Sequence, residues 1–211
     1  PSPSYYQKLP SYFLRNKKLS EAYTAQENFV NNGQIDWWRI FDANSTNAGA
    51  ALNSAYILYE DRNDDKQLTL NTVYNTAINN NTALNAAIEY KQLNSHNFAE
   101  VIDLLGGTGY LDINNFADTT AKMQNDVANP NRVVAVGDAF KYNFNLSSVL
   151  IKAFVQAQFK YHKIDFFLAA NFSKTTNQRT GLYQNGRFEN NSLGPSEVLS
   201  FADYGIKAGA T

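Results

Sequence analysis

The residues best able to bind a metal or move a proton near neutral pH are two histidines, His96 and His162. Either chemistry needs several such groups converging on one point. His96 falls in a polar stretch expected to belong to a long loop, and His162 falls in a tight turn at the opposite end, so they share no site. Glu60, Asp61, Asp64 and Asp65 place four carboxylates within six residues, a density that could hold calcium. No glycine stands where an EF-hand loop needs its sharp turn. A solvated rim, with Arg62 and Lys66 as counter-charges, is expected instead. Gly106-Gly107-Thr108-Gly109 lacks the Gly-Lys-Ser/Thr ending of a phosphate loop and reads as flexible backbone. No Gly-x-Ser-x-Gly nucleophile motif occurs. Catalytic residues, metal ligands and cofactors are therefore not expected, and the chain does not read as an enzyme. For ligand binding, the candidates are the loop aromatics Trp37, Trp38 and Tyr110, with Arg179 and Arg187 near the rim. Aromatic faces beside a few polar groups suit many small molecules.

Two runs flanking His162-Lys163 indicate what must position these residues. Ala153, Val155, Ala157, Phe159 and Tyr161 share one face, against Gln156, Gln158 and Lys160. Ile164, Phe166, Leu168, Ala170 and Phe172 repeat the pattern, against Asp165, Asn171 and Ser173. A period of two with a short polar connection predicts an antiparallel hairpin. Its apolar face continues over about ten residues per strand with aromatics near the turn, the form a strand takes when it crosses a bilayer within a closed barrel. The expected fold class is thus all-β: about five strands of a larger transmembrane antiparallel β-barrel, with long extracellular loops that contain short helices.

The bulk properties fit that reading and exclude others. The 211 residues carry a formal net charge of -1, which leaves no electrostatic footprint for nucleic acid. There is no cysteine, hence no disulfide. No apolar run is long enough for a membrane helix, which does not bear on a barrel. A mean hydropathy of -0.43 suits a polar lumen and large loops, as does an aromatic content of 14%. The chain opens on Pro-Ser-Pro-Ser and stops at Thr211 within another alternating run, so an excerpt of a longer chain is expected.

In order, residues 1–65 read as a loop region leading into a strand. Pro1, Pro3 and Pro10 keep the start extended or turning. A helix is expected over Glu21–Asn31, and a second, capped by Asp36, over Trp37–Asp42. Trp37, Trp38 and Phe41 form a small loop core on one reading and touch ligand on the other. Residues 66–93 read as a hairpin turning at Asn79-Asn80-Asn81. Residues 94–137 read as a long extracellular loop with a helical turn over Phe98–Leu105. Residues 138–211 read as strands with one outer loop; Ser147-Ser148 is either a hairpin turn or, on the preferred reading, a kink in one long strand that ends at Tyr161. Long connections at one end and minimal turns at the other match an outer-membrane barrel. Five strands cannot close one, so either the remaining wall comes from elsewhere in the parent chain or the membrane reading is wrong.

Several segments, taken together and in order, resemble the barrel region of TonB-dependent receptors of the type carrying a carboxypeptidase-regulatory-like domain. They are SYYQKLPSYFL, GQIDWWRIF, YILYEDRNDDKQL, NSHNFAEVIDLLGG, VGDAFKYNFNL, AQFKYHKIDFFLAANFS and RTGLYQNGRFENNSLG. The resemblance implies a Gram-negative outer-membrane location, contact with lipid, and active import of a small, scarce nutrient. It implies coupling to the TonB complex through a plug and TonB box, neither of which has a counterpart in this sequence. It leaves open whether a substrate-binding surface lipoprotein sits over the loops. Two other classes remain: a secreted β-sandwich glycan-binding module, and a passive barrel or adhesin.

Overall fold

The computed structural model describes residues 6–46 and 53–211. The expected extended start at Pro1 and Pro3 lies outside them. Five long strands form one antiparallel sheet: β1 (Leu58–Asn79), β2 (Thr82–Asp103), β5 (Ala139–Tyr161), β6 (Ile164–Gly181) and β8 (Leu199–Ala210). The order is β1-β2-β5-β6, with β8 along the lower part of β6 and the short β7 (Gly194–Pro195) along its top. The sheet is open. β1 and β8 are its edges.

The turns at Asn80-Asn81 and His162-Lys163 lie at one end of the sheet. Asn79 Oδ1 accepts the Asn81 N–H (2.9 Å), and Asn81 Nδ2 reaches the Lys160 carbonyl (2.6 Å), stitching the two turns together. All long connections leave from the other end, termed here the loop end. The first contains a two-stranded ribbon, β3 (Tyr110–Leu111) with β4 (Val133–Val134), and a one-turn helix α4 (Thr120–Met123). Ala99, Val101, Leu104, Val134 and Phe140 form the buried cluster where this connection packs on the loop end of the strands.

Both strands of the first hairpin outrun the expected 66–93. β1 starts at Leu58 and β2 continues to Asp103, so the long connection begins after 103 rather than at 94. Phe98–Asp103 is strand, not a helical turn. The charged segment is strand as well: Arg62 pairs with Phe98, Asp64 with His96 and Asp65 with Ser95. The cause is chemical. Toward this end polar residues occupy both faces, so the apolar alternation that marks a strand disappears, while Arg62 supplies local charge partners at Asp64 and Glu100. His96 therefore lies on β2, not in a loop, with Nε2 2.7 Å from Asn143 Oδ1 and its ring stacked on Phe98.

β5 runs unbroken through Ser147 and Ser148, each paired on both sides. The irregularity is elsewhere. Phe98 pairs with Asn143 but Ala99 with Phe140, so Lys141 and Tyr142 form a bulge, with Lys141 at φ 65°.

The N-terminal part is helical: α1 (Pro10–Arg15), α2 (Leu19–Asn31) and α3 (Trp37–Thr46), preceded by one 3-10 turn (Tyr6–Lys8). Asp36 caps α3 through the Arg39 N–H (3.1 Å). Trp38 is 86% exposed, and Trp37 and Phe41 are also exposed, so these rings do not form a core. Buried Asn44 anchors α3 instead. Its Nδ2 donates to the carbonyls of Tyr56, Leu104 and Leu105, and its Oδ1 accepts from the Ala55 and Tyr56 N–H groups. The glycines after β2 are also fixed by contact. A Cβ on Gly107 would lie 2.0 Å from Ser54 Oγ.

Candidate functional site

Cross-strand register sorts the long strands into two faces. Tyr74 pairs with Ala86, Ala86 with Val155, Val155 with Ala170, and Ala170 with Ile206. Neighbouring rows on the same face carry Leu70, Ile88, Phe159, Phe166, Leu168, Phe172 and Tyr204. This face is apolar and uncovered: Leu70 is 58% exposed, Ile88 61% and Leu168 54%. Phe159 and Phe166 stack 4.6 Å apart beside the His162 turn, and Tyr161 lies parallel to Phe166. The opposite face brings Asn75 to Asn85, Glu89 to Lys152, and Asn171 to Gly205.

The apolar band has a definite height. On β6 it runs from Ile164 to Phe172 and meets its first charge at Lys174, ten residues above Ile164, about 33 Å along a strand. On β1 the first charge of that face is Lys66, whose row continues through Asn94 and Ser147 to Gln178. That row meets β6 four residues above Lys174, so the upper border, marked by the first charge, stands higher on β1 than on β6.

Above the border the two long connections are fastened to each other. Asp112, with a side chain 1% exposed, accepts from Arg132 (2.6 Å), from Asn125 Nδ2 (2.7 Å) and from the Lys141 N–H (2.9 Å). The same Arg132 nitrogen reaches the Ala139 carbonyl (2.8 Å) and the Tyr183 hydroxyl (2.9 Å), with the guanidinium over the Tyr183 ring. Burial works to lower the Arg132 pKa, but its bonds to Asp112 and Tyr183 prevail and the net shift is upward. Arg132 Nε is buried without a partner. Asp126 makes a second fastening, accepting the Gln184 N–H (3.2 Å), while the Val127 N–H donates to the Gln184 carbonyl (2.7 Å).

Of the five residues singled out from sequence, Trp37 and Trp38 project from α3. Tyr110 lies in β3, its ring edge-on to Phe140, and burial first and the Asp112 charge second push its hydroxyl pKa up. Arg179, near the top of β6, spans two carbonyls of the second connection, Asn191 (3.1 Å) and Ser192 (2.9 Å), so it clamps that loop. Arg187 is exposed within the same loop. Among the described residues, no hydrogen bond, ion pair or ring contact joins any two of the five. The Asp112–Arg132–Tyr183 cluster went unseen in the sequence because its members are far apart along the chain and stand in no motif.

Lys141 and its neighbours add a further charged group. Its Nζ lies over the Tyr59 ring at 4.8 Å, donates to the Tyr59 hydroxyl (3.2 Å), and stands 3.9 Å from Asp61. The Tyr142 hydroxyl donates to Asp61 (2.8 Å). Its pKa is pushed up to about 12, by burial first and by Asp61 second. Compared against family models, curated proteins and solved structures, the chain matches none.

Proposed function

We propose that the chain is a section of wall from an outer-membrane β-barrel, with its extracellular loops, in an active transporter of the TonB-dependent type. One observation carries the membrane part of this reading: an uncovered apolar face shared by β1, β2, β5, β6 and β8, which on β6 runs from Ile164 to Phe172 before its first charge at Lys174, a length that gives roughly 25 Å of height at the strand tilt of about 40° usual in barrels. Water would make such a face costly, whereas hydrocarbon makes it the required exterior. The loop asymmetry supports the same orientation, with the turns at Asn80 and His162 on the periplasmic side. The unpaired edges of β1 and β8 require further strands, because open backbone groups are not tolerated in lipid. Energy coupling and nutrient import rest on the sequence resemblance alone.

Fractionation of cells expressing the full-length protein tests the membrane part. Recovery in the detergent-extracted outer membrane is expected, and recovery with the soluble proteins overturns it. Capture by the purified periplasmic domain of TonB tests the coupling. Membrane recovery without capture would leave a passive barrel or adhesin as the correct class.

A further inference from the structure

A cavity of about 370 Å³ opens at the loop end, between β1, β5 and the first long connection. Tyr59, Tyr110, Asn114, Phe116, Asn125 and Lys141 line it. We infer that this pocket is a binding site for one neutral, hydroxyl-rich ring, a single sugar unit taken either free or as the end of a glycan.

Bonds within the wall orient its polar groups. Asn125 is buried, one Nδ2 proton donates to Asp112, and among the described residues no hydrogen bond reaches its Oδ1. Asn114 Oδ1 accepts the Phe116 N–H (3.1 Å), which leaves its Nδ2 as a donor. Lys141 Nζ has three protons and one hydrogen bond, to Tyr59. A ligand that offers a donor to Asn125 Oδ1 and acceptors to Asn114 Nδ2 and Lys141 Nζ would use the unoccupied capacity of this wall. Hydroxyl groups do both, and neighbouring hydroxyls on one ring can serve all three.

The apolar groups complete the match. Phe116 is 94% exposed at the pocket edge, a bare ring on which the C–H face of a sugar can lie. Tyr59, Phe140 and Tyr110, which also line the pocket, pack edge-to-face with centroids 5.3 and 5.7 Å apart. The volume lies at the low end for small-molecule sites, roughly 300–1,000 Å³. It admits one ring rather than an extended chain.

Charge selects neutrality. Asp61 stands beside Lys141 and offsets its charge, so neither an anion nor a cation finds a clear complement. The positive φ of Lys141 and its bulge are what bring the ammonium over Tyr59. Arg132 enters only indirectly. By holding Asp112 it fixes the rotamer of Asn125, which makes it a positioning residue.

The test is calorimetric titration of the purified full-length protein, in detergent if it extracts with membranes and in buffer if it does not. This keeps the outcome separate from the membrane question. The probes are glucose, galactose, N-acetylglucosamine and maltotriose, with glucuronate, adenosine and the dipeptide Gly-Phe as controls. Binding of at least one neutral sugar is expected, weakened roughly tenfold or more in Phe116→Ala and unchanged in Phe188→Ala, another exposed ring that does not line the pocket. Maltotriose binding tighter than the monosaccharides identifies a glycan end, and equal binding identifies a free sugar. The proposal is overturned if no neutral sugar binds, if Phe116→Ala binds as wild type does, or if a control binds more tightly than every sugar.

Discussion

Asp112 and Tyr142 show how burial changes what a polar side chain does. Asp112 is almost wholly removed from water, and Arg132, Asn125 and the Lys141 N–H take up its carboxylate oxygens. Asp112→Asn leaves Arg132 without its counter-charge and should loosen the first connection by about 3 kcal/mol. In the full-length protein this is read as faster limited proteolysis within residues 104–138, with cleavage elsewhere unchanged. Tyr142 donates to Asp61 and must be protonated to do so. Its folded pKa lies above the usual tyrosine value of about 10, so the stabilisation is complete below that pH and is lost as pH rises toward about 12. Melting curves taken across that window should therefore fall more steeply for the wild type than for Tyr142→Phe. Parallel curves would contradict the assignment.

At the scale of elements, the band makes the two faces of one strand unequal. Val155 lies mid-band on the apolar face, and Gln156 is its neighbour on the other. On the membrane reading, Val155→Arg costs about 2–4 kcal/mol and Gln156→Arg far less. The yield of assembled protein in the outer membrane should fall for the first and hold for the second. On a water-facing surface both would be tolerated. The lower halves of the strands were legible from sequence for the same reason, since Leu68 to Ile78 and Ala153 to Phe172 alternate against polar neighbours. The turns at Asn80 and His162 and the Asp36 cap were legible from local chemistry. Glu60–Asp65 and Asn94–Asn97 were not, because strands with polar residues on both faces carry no hydrophobic period. The Lys141 bulge was hidden too, since only the change of register between Phe98 and Ala99 reveals it. Of the candidate residues, Arg179 and Tyr110 could be placed at the loop end but not given contacts, which depend on loops with no pattern of their own.

The whole molecule is an open sheet with two bare edges and a large exposed apolar face. Such an object exposes both unpaired backbone and greasy surface to water. The isolated 211 residues, refolded without detergent, should aggregate and show no cooperative melt by circular dichroism. A sharp, reversible melt of a soluble monomer would favour a self-contained sandwich. Strand length carries a last consequence. β1 and β2 are each 22 residues long, about 70 Å, more than twice the stretch needed to cross hydrocarbon. On the membrane reading, the surplus stands clear of the lipid as a parapet whose crest is the fastened loops. A visitor from outside would touch that crest tens of ångströms before reaching the bilayer. A short epitope inserted at Asn190 should accordingly be stained by antibody on intact cells, and the same epitope at Asn80 only after the envelope is breached.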